Sequence, residues 1–179
     1  MRVFIGIEFD SKVKEYLYKV QNFLKPSMIK GEMTNFNNFH LTTKYIGHVT
    51  EEEIDILKDC IFAASDSIKP FEMKLNGLHS FNKGRNSIFW VGIESGKDSL
   101  SKLYKAIESQ LIAEEFDLDY DKKYRPHITI GKKMVMNNGS SMEVMPHYYE
   151  SIYVSSITLF HSHRVNNVLT YTPIYRCDL

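Results

Sequence analysis

From Val3 to Phe9 apolar side chains fall at every second position (Val3, Ile5, Ile7, Phe9), the period of a half-buried strand. From Ser11 the interval lengthens to helical spacing, with Val13, Leu17, Val20 and Leu24 on one stripe and Pro26 closing the run. A second strand is predicted from Phe36 to Ile46, ending at Gly47. Thr50 and Glu53 then form a capping box, because the Thr hydroxyl and the Glu carboxylate can each satisfy a backbone N–H of the other residue. The helix so opened carries Ile54, Leu57, Ile61 and Ala64 inward. Alternation returns at Phe71, Met73 and Leu75, followed by a β-rich run from Ser87 to Glu94 and a long helix from Asp98 to Phe116 with Leu100, Leu103, Ile107 and Leu111 inward. Another strand is predicted from Arg125 to Gly131, then a polar loop, Asn137-Asn138-Gly139-Ser140-Ser141. Two closing strands run from Ile152 to Phe160 and from Leu169 to Arg176, with Val165-Asn166-Asn167 as the hairpin turn between them.

The order reads as two similar passes, the second starting near the Asp98 helix. Strands and helices do not alternate regularly enough for a doubly wound parallel sheet, so the expected class is α+β with mainly antiparallel sheets, one domain over residues 1–179. A hydrophobic fraction of 43% in 179 residues supports a packed core. The 22 basic and 22 acidic residues cancel, which excludes the strongly cationic surface of a protein that tracks long nucleic acids; any such contact is expected to be short and local. The two cysteines, Cys60 and Cys177, lack the spacing of a metal site or a redox motif, and no apolar stretch is long enough for a membrane span. These features predict a soluble, unprocessed protein of the reducing cytoplasm, expected as a monomer.

Chemistry concentrates in two stretches, Asn38-Phe39-His40-Leu41-Thr42-Thr43-Lys44-Tyr45-Ile46-Gly47 and Arg125-Pro126-His127-Ile128-Thr129-Ile130-Gly131-Lys132. Each holds His-aliphatic-Thr in a predicted strand, where side chains alternate faces, so each imidazole shares a face with its hydroxyl while Leu41 and Ile128 point to the other layer. With seven His and eight Thr in the chain, chance predicts about 0.3 such triplets of any middle residue, and three occur. The third, His48-Val49-Thr50, lies in a turn where Thr50 caps a helix. Strand context and half-chain separation set the other two apart.

On these stretches, together with Val3-Phe4-Ile5-Gly6-Ile7, Phe89-Trp90-Val91-Gly92, Ile157-Thr158-Leu159-Phe160 and Tyr171-Thr172-Pro173-Ile174-Tyr175, the chain resembles the two-histidine phosphoesterases. Within them it is most similar to the RNA 2′,3′-cyclic phosphodiesterases, also called 2′-5′ RNA ligases. The resemblance implies a bilobal, pseudo-twofold fold with two mainly antiparallel sheets lining a central cleft and helices outside. It also implies metal- and cofactor-free opening of RNA 2′,3′-cyclic phosphate ends, or of small cyclic nucleotides, to a 2′-phosphate. Reverse 2′-5′ ligation is an activity of the family that this sequence leaves open.

The residue types suit that reaction. A water must lose a proton as it attacks phosphorus and a ribose oxygen must gain one as it leaves, and two imidazoles near neutral pH can fill both roles. Expected catalytic residues are His40, assigned as the acid toward O3′, and His127, assigned as the base on water, an order that the symmetry of the motifs leaves reversible. Thr42 and Thr129 would donate to the non-bridging oxygens. Lys132, Lys44 and Arg125 are candidates for the substrate phosphates, and Tyr45 for stacking on the terminal base. Alternation places Lys44 on the face of His40 and Thr42. Where the family commonly has Arg after the second motif, this chain has Lys132 and Lys133, which offer point charges without a fork of donors. His79, His147, His161 and His163 are expected at the surface or strand edges, and Trp90 with Tyr148 and Tyr149 in core and sheet surface. Two alternatives stand beside this reading. A metal hydrolase would need a third ligand, and no HExxH or comparable cluster is present. An RNA-end binding protein of the same fold would bind without turnover.

Overall fold

His40 opens one strand and His127 immediately precedes another, and the two strands belong to different sheets. In this computed structural model, residues 1–83, 86–120, 123–137 and 146–179 are described. β1 (Arg2–Glu8), β3 (His40–His48), β8 (Ser156–Val165) and β9 (Val168–Asp178) form one antiparallel sheet in the order β3-β1-β8-β9. β2 (Met28–Met33), β4 (Phe71–Lys83), β5 (Asn86–Ser95), β6 (Ile128–Met136) and β7 (Ile152–Val154) form the other, in the order β2-β6-β5-β4-β7. α1 (Ser11–Leu24) packs Val13, Leu17, Val20 and Leu24 on the core of the second sheet, together with Ile128, Ile130 and Val91. α2 (Glu51–Asp66) and α3 (Lys97–Ala113) cover the first sheet, where Leu57, Ile61, Leu103 and Ile107 meet Val3, Ile5, Ile157 and Leu159. The class is therefore α+β with two antiparallel sheets and helices packed on their outer faces. Among the described residues no helix is long and apolar enough to cross a membrane.

Local chemistry places several boundaries as the sequence predicts. Thr50 accepts from Glu53 N and Glu53 Oε2 accepts from Thr50 N, the reciprocal capping box. Asn166 and Asn167 both take positive φ, 48° and 65°, as a two-residue hairpin turn requires. Other boundaries move. The strand expected from Phe36 opens instead with a 3-10 turn over Phe36–Asn38, so that β3 starts at His40. The strand expected over Arg125–Gly131 starts after His127 and runs on to Met136. β2, an edge strand with an exposed middle, carries too little apolar patterning to have been predicted. Residues 138–141 of the expected polar loop lie outside the described residues.

One irregularity changes which side chains face the cleft. Along β1 and β3, Gly6 pairs with Thr42 but Ile5 pairs with Lys44, leaving Thr43 as the extra residue of a β-bulge. Glycine is required there, because a Cβ on Gly6 would lie 2.7 Å from the Leu41 carbonyl oxygen. Along β5 and β6, Trp90 pairs with Thr129 and Phe89 with Gly131, leaving Ile130 as the extra residue. Both bulges fall on the third residue after the motif histidine. Each shifts the alternation by one, burying Lys44 and Gly131 and leaving Tyr45 and Lys132 exposed.

Candidate active site

His40 and Thr42 lie at the head of β3, His127 and Thr129 at the entry to β6 in the other sheet, and Thr42 and His127 line one cavity. In the first motif His40 Nδ1 lies 2.7 Å from the Asn38 carbonyl oxygen and Nε2 lies 2.9 Å from Thr42 Oγ1. A carbonyl can only accept, so Nδ1 carries the proton of the neutral ring, and the bare Nε2 accepts from the Thr42 hydroxyl. In the second motif His127 Nδ1 stands 2.7 Å from the Arg125 carbonyl oxygen, the same offset of two residues. Both rings thus tie up Nδ1 on their own strand and leave Nε2 for chemistry. Thr129 is half-buried, and its carbonyl accepts from Thr34 Oγ1 at 2.9 Å, which ties β6 to the turn after β2.

The walls around the two rings differ. Phe4, Phe160 and Tyr171 surround His40, with ring centroids 4.7, 6.0 and 5.1 Å away. His127 meets Phe81 and Trp90 nearly edge-on at 5.7 and 5.8 Å. Burial pushes the His40 imidazole from its ordinary 6.5 down to about 4; the Asn38 carbonyl opposes this, and the positive charges of Lys132 and His127 add to it. Lys132 and His127 thus lie within electrostatic reach of His40.

Beside His127 a cavity of about 590 Å³ opens between β3 and the chain leading into β6, lined among others by Thr42, Tyr45, Phe81, Tyr124 and Arg125. Tyr45 is half exposed in it, with its hydroxyl accepting from Arg2 Nε at 2.8 Å. Arg125 and Lys132 are exposed, while Lys133 is drawn to Glu32 at 2.7 Å. Among the described residues no three His, Cys, Asp or Glu side chains gather as a metal ligand set.

Two expectations are corrected by the geometry. Lys44 does not share the face of His40 and Thr42: the Thr43 bulge turns it inward, where it is 7% exposed and donates to Glu108 Oε1 at 2.7 Å, between the rings of Tyr104 and Tyr120. Its charge is spent on α3, so a phosphate would have to displace Glu108 to reach it. Trp90 is not a core residue; it is half-buried on the cleft side, stacked between His79 and Phe81 and touching His127. Sequence reasoning missed Phe4, Phe160, Tyr171 and Phe81 as the walls of the site. Phe4 carried a usable signal, since it falls on the polar phase of an otherwise alternating strand.

The chain matches the family model described as "2'-5' RNA ligase superfamily" over residues 32–165. It is 28% identical over 177 residues to the RNA 2',3'-cyclic phosphodiesterase of Methanocaldococcus jannaschii, covering 98% of this chain and 96% of that protein. It is also 28% identical to the RNA 2',3'-cyclic phosphodiesterase of Thermotoga maritima, over 74% of this chain and 70% of that one. Among solved structures, TT0787 of Thermus thermophilus superposes with a TM-score of 0.80 at 20% identity, covering 100% of this chain and 98% of that one, a likeness of fold.

Proposed function

The chain belongs to the 2'-5' RNA ligase superfamily, and we propose that it hydrolyses RNA 2′,3′-cyclic phosphate ends to 2′-phosphomonoesters, with His40 and His127 as a metal-independent acid–base pair. The observation that carries this reading is a pair of imidazoles on strands of different sheets, each with Nδ1 held by a carbonyl two residues back, with His127 and Thr42 lining one cavity and the charge of His127 reaching His40. Similarity along nearly the whole chain to proteins named for this activity supports the substrate class. On the same footing, residues 1–179 act as one domain, its two related parts each contributing one motif.

Water attacks phosphorus as His127 Nε2 takes its proton; the bond from phosphorus to O3′ breaks, and His40 Nε2 delivers a proton to the departing oxygen. One water is consumed and the phosphate stays on O2′. As the acid, His40 must hold a proton where the resting ring accepts from Thr42. An entering phosphate anion supplies the missing attraction: it favours imidazolium and frees the Thr42 hydroxyl to donate to a non-bridging oxygen. Thr129 offers the matching donor from β6. Lys132, exposed and within electrostatic reach of His40, compensates the phosphate charge. Arg125 and Tyr45 meet the nucleotide that carries the cyclic end, a reading supported by their lining the adjoining cavity.

The test is incubation of the protein with an oligonucleotide ending in 2′,3′-cyclic phosphate, with and without EDTA, followed by identification of the monoester isomer. A 2′-phosphate formed equally in chelator is expected, and His40→Ala and His127→Ala each lower turnover by about 10²–10⁴-fold while remaining folded. Full activity in either variant refutes the assignment. Loss of activity in EDTA refutes metal independence, and tight binding of the cyclic end without product in a single turnover identifies an RNA-end binding protein instead.

A further inference from the structure

We infer that Asn38 is a positioning residue of the cleft: its side chain ties β9 to the start of β3, and the backbone so held dictates the orientation and tautomer of His40. The inference rests on the proposed role of His40 in the reaction.

β3 and β9 are the two edges of their four-stranded sheet, three inter-strand steps apart, roughly 14 Å if the sheet were flat. Yet the rings of His40 on β3 and Tyr171 on β9 are 5.1 Å apart, so the sheet is curled with its concave face toward the cleft. Asn38 closes that curl. Its Nδ2 donates to the Leu169 carbonyl at 2.8 Å and its Oδ1 accepts from Tyr171 N at 3.1 Å. The side-chain amide thus pairs with the open edge of β9 as a short strand would, satisfying a donor and an acceptor two residues apart. The orientation of the amide is unambiguous, because exchanging its oxygen and nitrogen would set like against like at both contacts. Asn38 is itself 5% exposed, so neither contact is replaceable by bulk water.

The backbone of the same residue does the second job. The Asn38 carbonyl is the acceptor for His40 Nδ1, so a displacement of residue 38 releases the proton to either ring nitrogen. It would also loosen Tyr171, whose edge supports the ring. The Nδ1 partner of His127 is the carbonyl of Arg125, whose side chain is exposed, and among the described residues no buried side chain tethers that backbone as Asn38 does.

The experiment is nitrogen-15 NMR of the histidine rings in the full chain, wild type against Asn38→Ala and Asn38→Asp, with steady-state kinetics on a cyclic-phosphate oligonucleotide. In the wild type, neutral His40 is expected as the Nδ1–H tautomer alone. Asn38→Ala is expected to mix the two tautomers, lower kcat about tenfold with KM changed by less than about twofold, and leave the His127 signals in place. Asn38→Asp keeps the shape and the acceptor for Tyr171 N but lacks the donor to Leu169, so it remains readable if the alanine variant fails to fold. It should mix the tautomers too, and move His40 titration upward by setting an anion against the influence of Lys132 and His127, the charged groups that face the ring. A single Nδ1–H tautomer in whichever variant folds overturns the inference. A wild-type protein that shows the tautomer effect without hydrolysing the oligonucleotide faults the proposed reaction and leaves the positioning role standing.

Discussion

Replacing His40 with Gln should flatten part of the acid dependence of stability. The native ring resists protonation: its value falls from 6.5 to about 4, chiefly through burial. The unfolded chain therefore binds the proton more readily than the folded one. Stability from this group is complete above about pH 6.5, is lost as pH falls toward 4, and changes no further below that. At about 1.4 kcal/mol per pH unit the gap sets a ceiling of about 3 kcal/mol, and the partial opening of the ring to the cleft brings the expectation to about 1–2 kcal/mol. Urea unfolding at pH 7.5 and pH 4.5 reads it directly: the wild type should lose about 1–2 kcal/mol more than His40→Gln on acidification, a midpoint difference of about 0.5–1 M. Carboxylates titrating in the same range are common to both proteins and cancel. Equal losses would mean that the folded pocket does not oppose the imidazolium, and the account of its resting protonation would fall.

Two further outcomes follow from the charged residues. Lys44→Met removes the cation from the Glu108 carboxylate of α3, which keeps the Tyr104 hydroxyl as a donor, and should cost about 3 kcal/mol by chemical denaturation, with Lys44→Met/Glu108→Gln recovering most of it; a single-variant loss under about 1 kcal/mol would contradict the inward placement. Lys132→Gln should lower kcat/KM on cyclic-phosphate ends about tenfold and reduce its dependence on ionic strength, whereas Lys132→Arg retains both; salt dependence unchanged in the Gln variant would remove Lys132 from the phosphate site.

Much of the molecule is local and could be read along the chain. The Thr50–Glu53 box, the Asn166-Asn167 turn and the helical stripes of α1 to α3 depend on residues within a turn or two of each other, so spacing alone specifies them. The His-x-Thr strands belong to this class as well, since each histidine's Nδ1 partner is a carbonyl two residues back. What alternation could not supply was the phase beyond Thr42 and Thr129. An extra residue in one strand is defined only by the strand it pairs with, so the bulges that turn Lys44 inward and bring Tyr45 and Lys132 to the cleft exist only in the assembled sheets. The same holds for the depressed His40 imidazole and for Asn38. One depends on rings contributed by β1, β8 and β9, the other on bonds to residues 131 and 133 positions away, and contacts of that range are created by the fold.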